Sequence, residues 1–212
     1  MTITAEVLDD LWDFADPEGS EKRLRRAAES REDDVEREEL LTQVARALGL
    51  QRRFADAEAL LDSRTADAAE VRARRDLERG RIRNTAGDAS SAEELFLAAA
   101  KTSAAAGLVF LQVDALHMLA IVDPGHAERW TGAALALLDG VDDPRTLRWR
   151  VSLHNNLGWT LLDRGEPGLA LHSFQDSRDA ALRWGTPQQV QWAEDAIAEA
   201  RAALNSHRND AR

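Results

Sequence analysis

Asn155-Asn156-Leu157-Gly158-Trp159-Thr160-Leu161-Leu162-Asp163-Arg164-Gly165-Glu166-Pro167-Gly168-Leu169-Ala170-Leu171-His172-Ser173-Phe174 reads as a helix, a tight turn and a second helix. Leu157, Gly158 and Leu161 share one face of the first helix. Leu169, Ala170 and Phe174 lie on the facing side of the second. Gly158 and Ala170 carry almost no side chain, so the two backbones can come close. Arg164-Gly165 ends the first helix, where a glycine tolerates the left-handed backbone of a helix stop. Pro167 suits the start of the second, because its missing N–H would be unpaired there in any case.

The same spacing recurs upstream. Ala45 precedes Ala57 by twelve residues, Gly80 precedes Ala92 by twelve, and Gly158 precedes Ala170 by twelve. The first copy runs through Leu41, Val44, Ala45 and Leu48, a turn at Gln51-Arg52-Arg53, then Phe54, Ala57, Leu60 and Leu61. The second has Leu77 and Gly80, the turn Ala86-Gly87-Asp88, then Ala92, Phe96 and Ala99. Between it and the last copy lies a degenerate unit. Ala115, Leu116, Leu119 and Ala120 supply its first helix, Asp123-Pro124-Gly125 shortens its turn, and Ala127, Trp130, Ala134 and Leu138 follow. The small residues Ala45, Gly80, Ala120 and Gly158 are 35, 40 and 38 apart.

A small residue, a large apolar one, a glycine turn, an alanine and an aromatic at these spacings resemble the tetratricopeptide repeat, whose period is about 34 residues. The pieces Thr42 to Gln51, Leu77 to Arg81, Asp114 to Ala120 and Asn155 to Trp159 are similar to a bacterial group within that family. The resemblance implies an all-α fold: a right-handed superhelical solenoid of antiparallel helix pairs, about eleven helices in all. One domain is expected over residues 1–212. Capping helices occupy 1–33, about four helix pairs with the third degenerate fill 34–184, and a last capping helix covers 187–205. Within the cap, an apolar stripe predicts a helix over 4–15, Asp16-Pro17-Glu18-Gly19 a turn, and Ser20 the start of a second helix. Trp12 is expected to pack on the next helix pair. The charged run Arg31-Glu32-Asp33-Asp34 reads as a solvated loop feeding acidic residues into a helix N-terminus, where the macrodipole favours them.

Composition narrows the function. With 31% charged residues and a net charge of -11, the chain lacks the basic surface that binding nucleic acid requires. No apolar run is long enough for a membrane span, and the first residues carry no signal-peptide pattern. There are no cysteines, hence no disulfide, thiol nucleophile or cysteine metal site. A cytoplasmic location follows as the expectation. No glycine-rich phosphate loop, His-Glu-x-x-His or Gly-x-Ser-x-Gly motif occurs, so neither an enzyme nor a cofactor is expected.

In a stack of helix pairs the first helices line the concave wall, and the register places particular side chains there. The first repeat offers Glu39, Thr42 and Arg46, and the second Arg74, Leu77 and Arg81. The third offers Asp114, His117 and Ile121, and the fourth Ser152, Asn155 and Trp159. On the last helix the register selects Trp192, Asp195 and Glu199. The expected partner-binding residues are therefore Thr42, Arg46, Arg74, Arg81, Asp114, His117, Asn155, Asn156, Trp159 and Trp192. Arginine suits carboxylates and tryptophan an apolar side chain, so the wall fits a protein or peptide ligand.

The family resemblance implies the same groove. Asn156 sits where many such repeats carry an Asn that bonds the ligand backbone. Gln43, Glu78 and Met118 occupy that place elsewhere, so no Asn ladder is present and the family's carboxylate clamp is not carried over.

Competing readings stand beside these. Trp159 can pack between repeats, and Asn155 and Asn156 can bridge helices. Arg74, Arg79, Arg81 and Arg83 can pair with Glu70, Asp76 and Glu78 along one helix. Asp114 and His117, three apart, could share a metal or a proton, but His126, His154, His172 and His207 show no matching ligand spacing. At the level of the whole protein, the leading expectation is a non-catalytic binding scaffold. The alternative is a self-assembling homo-oligomer built on Trp130, Trp149, Trp184 and Trp192. A peptide-sensing regulator is the third class, and it lacks room for an N-terminal DNA-binding domain.

Overall fold

Glycine and aspartate punctuation divides the chain into helices, and among the described residues there is no strand. The computed structural model describes residues 3–210. In order, the helices are α1 (Ala5–Leu11), α2 (Pro17–Glu29), α3 (Asp34–Leu50), α4 (Phe54–Asp62), α5 (Ala69–Thr85), α6 (Ala89–Ala105) and α7 (Val109–Val122). A 3-10 turn (Pro124–His126) follows, then α8 (Ala127–Leu138), α9 (Pro144–Leu147), α10 (Trp149–Asp163), α11 (Pro167–Trp184) and α12 (Pro187–Asp210). Two compact units emerge, residues 1–115 and 116–212. No described helix is long and apolar enough to cross a membrane.

In the first unit, α3–α4 and α5–α6 are hairpins of one design. The first helix of each ends in a left-handed residue, Arg52 at φ 62° and Gly87 at φ 84°. The next N–H then reaches back to the last turn: Arg53 N to Leu48 O at 2.9 Å and Asp88 N to Arg83 O at 3.0 Å. Such a bond satisfies a carbonyl that the helix end would leave unpaired. Ala57 and Ala92 are fully buried seven positions after Leu50 and Thr85 close their helices. Gly80 needs its missing side chain, because a Cβ there would overlap the buried Phe96 ring. Leu40, Val44, Ala45, Leu48, Ala57 and Leu61 form one core with Leu8, Leu24 and Ala28 of the leading helices.

The leading segment departs from the expected boundaries. α1 stops at Leu11, because Ser20 takes over the chain beyond it. The Ser20 hydroxyl accepts from Asp13 N (2.8 Å) and donates to Asp13 O (2.9 Å). Trp12 and Phe14 leave the helix as a stacked pair with centroids 4.9 Å apart. Trp12 does pack on the following hairpin, donating Nε1 to Gln43 Oε1 at 3.2 Å. Pro17 to Gly19 is the first turn of α2, capped by Asp16, whose carboxylate accepts from Gly19 N at 2.9 Å. Asp33 caps α3 by accepting from Val35 N and Glu36 N, as the acidic run suggested.

The second unit carries the same hairpin in α10–α11. Gly165 is left-handed at φ 79°, and Glu166 N reaches Leu161 O at 2.9 Å. A Cβ on Gly158 would overlap the Phe174 ring, and Ala170 is fully buried. α12 continues to Asp210, beyond the expected end at 205, and its Ala196, Ile197 and Ala200 join Leu161, Ala170 and Phe174 in a core. Asp143 caps α9, accepting from Thr146 N at 3.0 Å and from its hydroxyl at 2.5 Å. In the degenerate pair, Asp123 accepts from Trp130 Nε1 at 2.9 Å and faces His126 Nδ1 at 3.0 Å, which holds the short turn.

Candidate functional site

The arginines expected to wait for a ligand already have partners. Helical spacing puts Arg46 on α3 and Glu78 and Arg81 on α5 in one row with Asp114 on α7. Glu78 Oε1 accepts from Arg46 Nη1 at 3.4 Å and from Arg81 Nη1 at 2.6 Å, and Arg81 Nη2 donates to Asp114 Oδ1 at 2.5 Å. The row alternates in sign and sums to zero. Burial, with Arg81 beside it, holds the Arg46 guanidinium below the usual arginine range. The pair of carboxylates Asp114 and Glu78 more than offsets the burial of Arg81 and holds it above that range.

Arg74 reaches Glu39 at 3.7 Å, and Glu39 also accepts from Ile3 N at 2.7 Å. Burial pushes the Glu39 carboxyl up, against the pull of Arg74. Thr42 is fully buried and donates its hydroxyl to Glu39 O at 2.6 Å. The expected wall at Thr42, Arg46, Arg74, Arg81 and Asp114 is thus a set of polar groups hydrogen-bonded or ion-paired within the fold. Of the pairs expected within α5, Arg81 with Glu78 forms. Arg79 and Arg83 turn to Glu58 on α4 instead, at 3.3 and 3.1 Å.

The second unit gathers the other expected residues. Asn156 Nδ2 donates to His117 Nε2 at 2.7 Å, which requires that nitrogen to be unprotonated. The His117 ring also lies against Trp149, centroids 5.1 Å apart. Asn155 Nδ2 donates to Asn156 Oδ1 at 3.4 Å. Asn156 is therefore held from both sides within the fold. Trp159 meets Phe174 edge-on, centroids 5.0 Å apart, and this is the packing role of the two considered. It has a second surface, because Asn155, Asn156 and Trp159 together line a cleft of about 400 Å³ between α10 and α12. Ser152, Gln189, Trp192, Asp195 and Glu199 complete most of its wall. Trp192 is 61% exposed, unlike Trp159.

Two polar wall residues, Ser177 and Gln189, escaped the sequence reading, as did apolar Val151 and Ala196. Ser177 lies seven positions after Ala170 on the inward face of α11, and its hydroxyl donates to Val151 O at 2.9 Å. Gln189 stands one turn before Trp192, and its side chain caps α12, accepting from Thr186 N at 3.0 Å. Helical periodicity was the available signal for both.

Chemically, the cleft offers one open aromatic face, amide and hydroxyl groups, and two carboxylates. No histidine, lysine or arginine among the described residues lines it. Among the described residues, no group of three or more His, Asp or Glu is arranged to hold a metal ion.

No protein-family model matches the chain, and no curated protein matches it. The structure is similar to the crystal structure of BtubC (BKLC) from P. vanneervenii, with 19% sequence identity and a TM-score of 0.54 over 96% of this chain and 93% of that one. At that identity the likeness bears on the helical fold alone.

Proposed function

We propose that the protein is a non-catalytic binding module of the tetratricopeptide-repeat kind, acting in the cytoplasm, and that it holds a peptide or protein segment in the α10–α12 cleft. The observation that carries this reading is Trp192. A large aromatic side chain stays exposed in a cleft of mixed polar and apolar lining, while Arg46, Arg74 and Arg81 are each paired with a carboxylate of the fold. Exposed aromatics in concave, partly polar surroundings are the usual anchors of an interface. The recurring hairpins at Ala45, Gly80 and Gly158 and the likeness to BtubC support the solenoid reading. The self-assembly alternative drew on four tryptophans. Of these, Trp130, Trp149 and Trp184 are half-buried.

The test is a quantitative pull-down from the source cells with tagged wild type and a blocked-cleft variant, Ser152→Arg with Trp192→Ala. Both are checked for equal helicity by circular dichroism. The proposal expects specific partners recovered by wild type and lost by the variant. Equal recovery of every partner overturns it.

A further inference from the structure

We infer that the α10–α12 cleft takes a cationic side chain, arginine or lysine, of an extended peptide; this rests on reading the cleft as a peptide site. The two ionisable residues on its wall are Asp195 and Glu199, and both are exposed. Asp195 receives one hydrogen bond, from neutral Gln191 on its own helix at 2.9 Å. Among the described residues, no cation lies within ion-pair distance of either carboxylate. This sets them apart within the chain. Glu21, Glu39, Glu58, Glu78 and Asp114 each meet an arginine of a neighbouring helix or segment. Those five carboxylates are paired with arginine across segments, and the two in the cleft are not.

Trp192 supplies the second half of the argument. Residues 192, 195 and 199 follow the three- and four-residue steps of one helix face, so ring and carboxylates are presented together. The face of an indole attracts a cation, and a desolvated cation gains more from it. A guanidinium fits better than an ammonium, because its plane stacks on the ring while its N–H fork meets carboxylates. A purely apolar side chain on Trp192 would cover two carboxylates without pairing them, at a desolvation cost. An acidic peptide would meet like charge. Asn155 and Ser152 are placed to bond a peptide backbone, which carries no charge preference of its own.

The test is selection from a random twelve-residue display library on the full chain. Selected peptides are then synthesised and titrated against four proteins: wild type, Trp192→Ala, Asp195→Asn with Glu199→Gln, and a charge control, Glu32→Gln with Asp142→Asn, both exposed positions outside the cleft. The inference expects selected peptides to share an Arg or Lys. Their affinity falls about ten-fold or more in the Asp195/Glu199 variant and in Trp192→Ala, and stays within about two-fold in the control. Replacing the shared Arg by citrulline, which keeps the shape and removes the charge, gives a loss similar to that in the Asp195/Glu199 variant. Peptides that need Trp192 but share no cation, or bind the Asp195/Glu199 variant as well as wild type, overturn the inference and leave the peptide-site reading standing. Peptides indifferent to Trp192, an equal loss in the charge control, or no selected peptide at all overturn the inference, and the first and last of these also count against the cleft as a peptide site.

Discussion

The Phe174 ring occupies the space that a Cβ on Gly158 would need, and Phe96 stands in the same relation to Gly80, sixteen residues on in both cases. At Ala45 the residue sixteen on is Leu61, a smaller partner, and both are fully buried. The hairpin thus comes in two sizes, glycine with phenylalanine and alanine with leucine. Gly158→Ala is expected to destabilise the protein by about 1–3 kcal/mol through overpacking, despite the better helix propensity of alanine. Combining it with Phe174→Leu should recover part of that loss. Denaturant unfolding of the two single variants and the double variant measures the coupling, and strict additivity would refute the pairing.

Arg52 occupies the turn position that glycine holds at 87 and 165, and it does so at φ 62°. A left-handed backbone strains any residue with a Cβ. Arg52 is exposed. Arg52→Gly should raise stability by about 0.5–1 kcal/mol, and Gly165→Ala should lower it by about 1 kcal/mol. Thermal melts of both variants check the signs.

Glu78 accepts from two arginines with one oxygen and is itself buried. Glu78→Gln keeps its shape but leaves Arg46 and Arg81 short of a counter-charge. Breaking a largely buried pair costs about 3–5 kcal/mol, and the partial exposure of the arginines reduces that to about 2–3 kcal/mol. The change should act on residues 1–115 and leave peptide binding in the α10–α12 cleft intact. Urea unfolding and a binding titration on the same variant separate the two effects.

His154 provides a pH signature for the second unit. Burial lowers its pKa below 6.5, with Arg150 acting the same way and Asp176, at 3.8 Å, opposing them. A histidine depressed in the folded state contributes stability above its unfolded pKa, which is lost as pH falls through the folded value. Glu39 and Asp76, both raised by burial, work in the opposite sense in the acidic range. The wild-type profile therefore mixes signs, and the difference from His154→Gln isolates the histidine. The stability of wild type relative to His154→Gln should fall between pH 7.5 and 5.5. A pH-independent difference would contradict the assignment.

What was legible in the sequence follows the range of the interactions. Gly80, Gly158, Ala92 and Ala170 pack within one hairpin, so a fixed spacing exposes them. The turns at Gly87 and Gly165 are local too. The ion pairs are not. Arg46 finds Glu78, and Arg81 finds Asp114, only once successive first helices lie side by side, and sequence offered nearer partners on the same helix. Thr42 looked open because periodicity places a residue on a face without showing what covers that face. Trp192, Asp195 and Glu199 were placed by register alone, and the cleft they share with Asn155 and Trp159 depends on how α12 returns onto α10.

The central claim is that partner contact occurs at Trp192. It is tested most directly by site-specific photo-crosslinking in living source cells. A photoreactive phenylalanine analogue replaces Trp192 in one strain and Leu182 in another; Leu182 is an equally exposed apolar position on α11 outside the cleft. The account predicts a discrete adduct with another polypeptide from position 192, lost when Asp195 and Glu199 are neutralised, and none from position 182. Adducts from 182 with none from 192 would contradict it.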